Sequence, residues 1–197
     1  MKQFNYLVPR SLDEAISFHE AHGERAKYIA GGTDVLVKIK AGKILPDYLI
    51  SLKHILGQDR PLLNQETGEL YIGSFVTHRM IEKSAIVRIH YPILHDAIRN
   101  IGSVQIRNVA TIGGNLCQDS CCVYFNRPEE VRQSLPPCHK LGGNTCHVVP
   151  SSADCWAPYT GDLAPVLMAL GGTVTVAGRN GEKARPIAEI FTGDGSR

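Results

Sequence analysis

No apolar run in this chain approaches the ~18 residues that a membrane-spanning helix needs. The opening Met1-Lys2-Gln3-Phe4-Asn5-Tyr6 also lacks the apolar core of a secretory signal. A cytoplasmic protein is therefore expected. Charge of one sign is scarce too: 21 basic against 19 acidic side chains leave a formal net charge of +2. No basic run interleaved with aromatics marks a nucleic-acid surface. Neither the GxGxxG dinucleotide fingerprint nor the P-loop GxxxxGK[ST] occurs, and no internal repeat or low-complexity segment is present. No Ser-His-Asp set or paired-carboxylate site stands out, and Asp13-Glu14 and Glu129-Glu130 read as solvated faces. The most informative gap concerns cysteine. All six cysteines lie between Cys117 and Cys155, with none in the first hundred residues. Core cysteines would be scattered, and a reducing cytosol disfavours disulfides, so clustered thiols point to metal or catalysis.

What is present is ordinary for a globular chain. A hydrophobic content of 43%, a charged content of 20% and 197 residues allow one domain or two small ones with a real core. The first sixty residues read as a small α/β unit, with a strand over 4–8, then Ser11 as N-cap with Glu14 three residues on. Leu12, Ala15, Ile16 and Ala21 give helical spacing up to Gly23. A strand at 28–30, a short helix at 35–39 and a strand at 48–52 complete this unit. The second unit is expected to hold a strand at 70–73, a Thr77-capped helix to Lys83 and a helix from Tyr91 to Ile101. After them come a buried helix at 162–170, a strand at 173–176 and a hairpin turn at Asn180-Gly181. Residues 117–160 show little periodicity, a length that calls for function or a ligand to order it.

Two glycine turns carry chemistry. Ala30-Gly31-Gly32-Thr33-Asp34 follows a strand and precedes a helix, so successive backbone N–H groups could cradle a phosphate. Thr111-Ile112-Gly113-Gly114-Asn115 repeats the composition, and two such turns could grip the ends of one pyrophosphate. Composition alone also fits two unrelated tight turns.

These motifs, followed in order by Gly161-Asp162-Leu163-Ala164-Pro165, resemble the FAD-binding medium subunit of the molybdenum hydroxylases, the family of xanthine and carbon monoxide dehydrogenases. The resemblance covers most of residues 1–190. It implies an α+β, two-subdomain FAD-binding fold of the PCMH/VAO-like kind, with subdomains at 1–59 and 60–197. It also implies that Ile29, Ala30, Gly31, Gly32, Thr33, Asp34 and Val35, with Thr111, Ile112, Gly113, Gly114 and Asn115, hold the FAD diphosphate. Asp162 would then bind the ribose or adenine end, as an acidic acceptor of sugar hydroxyls. Members of the family usually continue into a C-terminal domain over the isoalloxazine ring, and this sequence ends where that domain would begin.

Residues 117–160 depart from most of the family as an insertion. Read on residues alone, the thiols fit iron–sulfur, zinc or free cysteines, although zinc sites favour CxxC-like pairs that are missing here. The insertion is similar to that of the 4-hydroxybenzoyl-CoA reductase β subunit, which implies a [4Fe–4S] cluster on Cys122, Cys138, Cys146 and Cys155. Cys121 competes with Cys122 by adjacency, and Cys117 is expected to be a buried thiol. His139 and His147 are expected to hydrogen-bond, and Tyr124 and Trp156 to pack over the cluster. The resemblance implies electron transfer from a ferredoxin-type donor through [4Fe–4S] and FAD to a [2Fe–2S] small subunit and a molybdenum-cofactor large subunit. The reaction would be reductive dehydroxylation of 4-hydroxybenzoyl-CoA in aromatic degradation. The alternatives are the FAD subunit of an oxidative aldehyde- or xanthine-type hydroxylase, or a zinc-stabilised interaction module without flavin.

Overall fold

Strands β1 (Asn5–Leu7), β2 (Ala26–Ile29) and β3 (Tyr48–Ser51) form a parallel sheet of order β1-β3-β2 in the computed structural model, which describes residues 2–55, 57 and 59–191. Parallel neighbours need crossovers. α1 (Leu12–His22) and α2 (Val35–Lys40) supply them. Helix α1 starts where the Ser11 hydroxyl accepts the Glu14 N–H at 3.1 Å, and the Glu14 carboxylate accepts the Arg10 N–H at 2.7 Å. The reciprocal cap thus reaches back one residue further than a standard capping box. The central strand β3 is an apolar run because both its faces are covered: Leu49 and Ile50 are buried, one against Ile29 and Ile39, the other against Ala15, Ala26 and Ile55.

After an antiparallel ribbon of β4 (Leu62–Leu63) and β5 (Leu70–Tyr71), the chain becomes helical. In order come α3 (His78–Lys83), α4 (Ala85–His90), α5 (Pro92–Arg99), α6 (Val104–Val109) and α7 (Ile112–Leu116). Four of these begin on a hydroxyl cap: Thr77, Ser84, Ser103 and Thr111 each accept the N–H three residues on. The fifth, α5, opens on Pro92, whose fixed φ suits the first helical position. Val76, Ile81, Val87, Leu94, Ile98 and Ile101 form one core with Ile112 and Leu163. The second glycine turn and the segment after Asp162 are therefore anchored in the same apolar cluster.

Helices α4 and α6 and strand β4 are additional to the elements expected from sequence, each too short to give clear periodicity. The expected buried helix at 162–170 is the short α9 (Ala164–Ala169), buried only at its Leu163–Ala164 end. β6 (Thr173–Gly178) and β7 (Gly181–Pro186) make the hairpin foreseen at Asn180-Gly181. Between residues 117 and 160 regular structure is confined to α8 (Glu129–Arg132) and one 3-10 turn at His139–Leu141. The terminal Gly195-Ser196-Arg197 lies outside the described residues. Among the described residues no helix is long and apolar enough to cross a membrane.

One buried ion pair braces the helical layer. Arg107 donates from Nε to Glu82 at 3.1 Å and from its terminal nitrogen to the Ile101 carbonyl at 2.9 Å, while Arg79 meets the same carboxylate at 2.9 Å. Burial pushes the Glu82 carboxyl up, but the bonds from Arg79 and Arg107 outweigh it and hold its pKa below the usual range. Losing one partner of such a pair costs about 3–5 kcal/mol.

The centre of the sheet sets the stability of the first unit. Ile50→Ala, at a side chain with no exposure, is expected to lower unfolding free energy by about 2–5 kcal/mol. Urea titration followed by circular dichroism measures it, and a loss under 1 kcal/mol would show that β3 is not a packing centre.

Candidate functional site

The two glycine turns meet. A methyl group on Gly31 would overlap the Val109 carbonyl oxygen and stand 3.1 Å from Ala110 Cα, so glycine is what lets the first turn lie on the backbone leading into the second. Gly32 follows at φ 76°, the left-handed region in which a side chain is strained. The backbone N–H groups of Gly31, Gly32, Thr33 and Asp34 meet no acceptor among the described residues. Four successive free donors at a helix start form an anion cradle. Asp34 sends its carboxylate to Lys38 at 2.8 Å rather than into the cradle.

The second turn differs. Ile112 N–H bonds to Val76 O at 3.1 Å, Gly113 N–H to Ser74 O at 2.9 Å and Gly114 N–H to the Thr111 hydroxyl at 3.1 Å. Its amides are thus engaged within the protein. Its glycines answer close packing instead, since a methyl on Gly113 would stand 2.8 Å from Ser74 O. What the second turn presents is Asn115, which staples the third motif. The Asn115 amide donates to Asp162 Oδ2 and to Gln118 Oε1, each at 3.2 Å, while its oxygen accepts the Leu163 N–H at 2.9 Å. Asp162 is exposed and keeps its other carboxylate oxygen available. The Tyr159 hydroxyl is shared between the carbonyls of Asn115 at 3.0 Å and Leu116 at 3.1 Å. Burial first, then the charges of Cys117 and Asp162, push its pKa up to about 12. All three motifs read from the sequence thus converge on one locus.

His78 was not legible. It begins α3, its N–H bonds to Ala110 O at 2.9 Å, and its side chain is buried at 1% exposure. Neither ring nitrogen has a hydrogen-bond partner among the described residues. Burial pushes its pKa down, and Arg107 adds to this. The Thr111 backbone, close by without good hydrogen-bond geometry, and Asp162 oppose it without prevailing. Nothing in the sequence around Thr77-His78 signals this, because the burial comes from elements far along the chain.

The cysteines divide. Cys122, Cys138, Cys146 and Cys155 line one cavity together with Tyr124, Phe125, His139 and His147. Cys121 and Cys117 are exposed and do not line it. Cys117 is exposed as a residue, while burial around its sulfur still pushes the thiol pKa up. The Tyr124 N–H points at Cys122 Sγ and the Val149 N–H at Cys146 Sγ, both at 3.4 Å. The Val149 amide, helped by those of Trp156 and Val148, lowers the Cys146 thiol pKa against its burial. His139 and His147 turn Nε2 to the carbonyls of Ser152 at 3.3 Å and Pro136 at 2.9 Å. Trp156 does not cover the cavity; it is 61% exposed and donates to the Ser152 hydroxyl at 2.6 Å. Among the described residues no three His, Cys, Asp or Glu side chains converge tightly enough for a single metal ion. A four-iron cluster would ask for something different, one thiolate at each separate iron; here four cysteines line one cavity, and backbone amides point at two of their sulfurs, those of Cys122 and Cys146.

A family model described as the FAD-binding domain in molybdopterin dehydrogenase matches residues 2–197. The chain is 32% identical over 198 aligned residues to the aldehyde oxidoreductase FAD-binding subunit PaoB of Escherichia coli K12, covering 97% of this chain and 61% of that protein. It is 35% identical over 121 residues to the nicotinate dehydrogenase FAD-subunit of Eubacterium barkeri, covering 61% of this chain and 40% of that one. In structure it is similar to carbon monoxide dehydrogenase from Hydrogenophaga pseudoflava, with TM-score 0.71 and 22% identity over 96% of this chain and 52% of that one, a likeness of fold. The chain therefore spans about half the length of the proteins it matches.

Two outcomes follow from this geometry. Gly31→Ala is expected to destabilise the chain by about 1–3 kcal/mol or more through overpacking and to lower its FAD content. Gly178→Ala, with nothing within 4 Å of the new methyl, should leave both unchanged; equal behaviour of the two variants would refute the close-approach argument. The second concerns His78. Its folded pKa is depressed, so below about pH 6.5 the unfolded ring takes a proton that the folded ring refuses. The unfolded state then binds more protons, and stability falls as pH falls towards the folded pKa. Urea unfolding at pH 7.5 and 5.5 should show this loss shrink in His78→Leu; an unchanged loss would assign the acid sensitivity elsewhere.

Proposed function

The chain belongs to the family of FAD-binding domains in molybdopterin dehydrogenases, and from that premise we propose that it carries electrons between FAD and a [4Fe–4S] cluster within a molybdenum enzyme. Among Ile29 to Val35, the free amides of Gly31 to Asp34 hold the FAD diphosphate. Thr111 to Asn115 frame it from the other side, by packing and through the Asn115 staple more than by free amides. The open oxygen of Asp162 accepts from sugar hydroxyls. Bound there, FAD exchanges one or two electrons at a time. Cys122, Cys138, Cys146 and Cys155 hold the cluster. The observation that carries the two-cofactor reading is the sorting of the six cysteines, four of which line a single cavity.

The partners on this reading are a molybdenum-cofactor large subunit and a [2Fe–2S] small subunit. Two reactions fit the electron path. Reductive dehydroxylation of 4-hydroxybenzoyl-CoA consumes two electrons and two protons and releases water, with a ferredoxin-type donor feeding the cluster. The cysteine pattern supports it. Oxidation of an aldehyde with water to a carboxylic acid releases two electrons and two protons, and current then runs the other way. The alignment to PaoB supports this second reading, because covering 97% of the chain it runs through the cysteine segment.

Purified anaerobically, the chain should carry FAD with about four irons and four sulfides, and Cys146→Ser should lose iron while retaining FAD. Zinc in place of iron would instead indicate the structural module. In the assembled enzyme, bleaching of the flavin by an aldehyde would assign the oxidative direction, and bleaching only by reduced ferredoxin the reductive one.

A further inference from the structure

Helices α3, α4 and α5 border an open surface cleft of roughly 420 Å³ lined by Arg79, Lys83, Arg88 and Arg99, with Glu82, Ser84 and His95. It shares no residue with the flavin locus or the cysteine cavity. Its one acidic residue, Glu82, is consumed by Arg79 and Arg107, so it does not repel an anion. The same pairing fixes the Arg79 guanidinium, because Arg107 is itself tied to the carbonyls of Ile101 and Gly102. The floor is thus pre-organised. Lys83, Arg88 and Arg99 have no acidic partner among the described residues. Ser84 accepts the Val87 N–H with its oxygen and keeps its O–H to donate. The His95 side chain is 12% exposed, with its Nδ1 beside Asp96 at 3.5 Å.

We infer that this cleft binds a compact ligand carrying two or more phosphoryl groups. Guanidinium forks match phosphoryl oxygens in pairs. The need for several charges follows from exposure: a single ion pair at a solvated rim adds less than about fivefold in affinity, so one phosphate meeting one cation is not retained. An anion spanning Lys83, Arg88 and Arg99 above the fixed Arg79 engages several at once. No Phe, Tyr or Trp lines the cleft, and the His95 ring is largely covered with its Nδ1 turned to Asp96, so the phosphoryl groups are what the cleft recognises. They can come from an inorganic polyphosphate or from the phosphorylated end of an organic molecule.

Titration calorimetry of the flavin-saturated protein with sodium tripolyphosphate, orthophosphate and ADP tests this. Tripolyphosphate should bind at one saturable site, at least about tenfold tighter than orthophosphate, and weaken severalfold between 50 and 200 mM salt as the cations are screened. ADP should bind no tighter than tripolyphosphate. The Arg88→Gln/Arg99→Gln double variant, changed only at exposed positions, should keep its flavin spectrum and lose at least about tenfold in tripolyphosphate affinity. Absence of saturable binding, equal affinity in the double variant, or orthophosphate binding as tightly as tripolyphosphate would each overturn the assignment. Tighter ADP binding would overturn recognition by phosphoryl groups alone.

Discussion

The approach of Gly31 to the backbone at Val109–Ala110 is the contact on which the rest of the molecule depends. The parallel sheet and the helical layer are brought together where a side chain would have held them apart. In the sheet, β2 delivers the chain into the turn. In the helical layer, α6 ends at that contact and α7 begins beside it.

Around that contact the polar groups divide the work. Amides of the second turn are satisfied internally, which makes it rigid, and the Asn115 side chain ties Asp162 and Leu163 to it while also meeting Gln118. Leu163 and Ile112 are then buried in the same cluster as Ile98 and Leu94. A cradle with unpaired donors is costly to keep open in a flexible segment, since the donors would find other acceptors. Here the packing beneath it removes that freedom. Arg107 and Glu82 extend the same bracing across α3 and α6, and they also hold Arg79 still at the wall of the basic cleft.

The cysteine segment is organised on different terms. It has few regular elements and little apolar core, and side chains supply many of its internal bonds: the Asn126 oxygen accepts the Cys122 N–H, the His147 ring bonds to the Pro136 carbonyl, and the Trp156 indole donates to the Ser152 hydroxyl. Such a segment gains most of its order from what it encloses. Its tie to the flavin locus is short, because Asp119, two residues beyond Cys117, accepts from Lys140 at the cavity wall and its carbonyl from Thr160.

Much of this was written locally in the sequence. Ser11 and Thr77 announce helix starts because a hydroxyl cap acts within three residues. The strands at 5–7, 26–29 and 48–51 follow from short apolar runs, and the glycine pairs and the cysteine cluster are visible as composition. Helices α4 and α6 were not expected from the sequence. What depended on distant partners could be decided only by the tertiary structure. The free donors of the first turn against the satisfied ones of the second follow from where Ser74 and Val76 lie. The inclusion of Cys122 and exclusion of Cys121 follow from how the loop folds back on Cys138 to Cys155. The burial of His78 and Arg107 follows from the helices packed over them. Sequence fixes what a residue can do within a turn or two of chain; solvent exposure and hydrogen-bond supply are properties of the folded neighbourhood, and those decided which residues form the site.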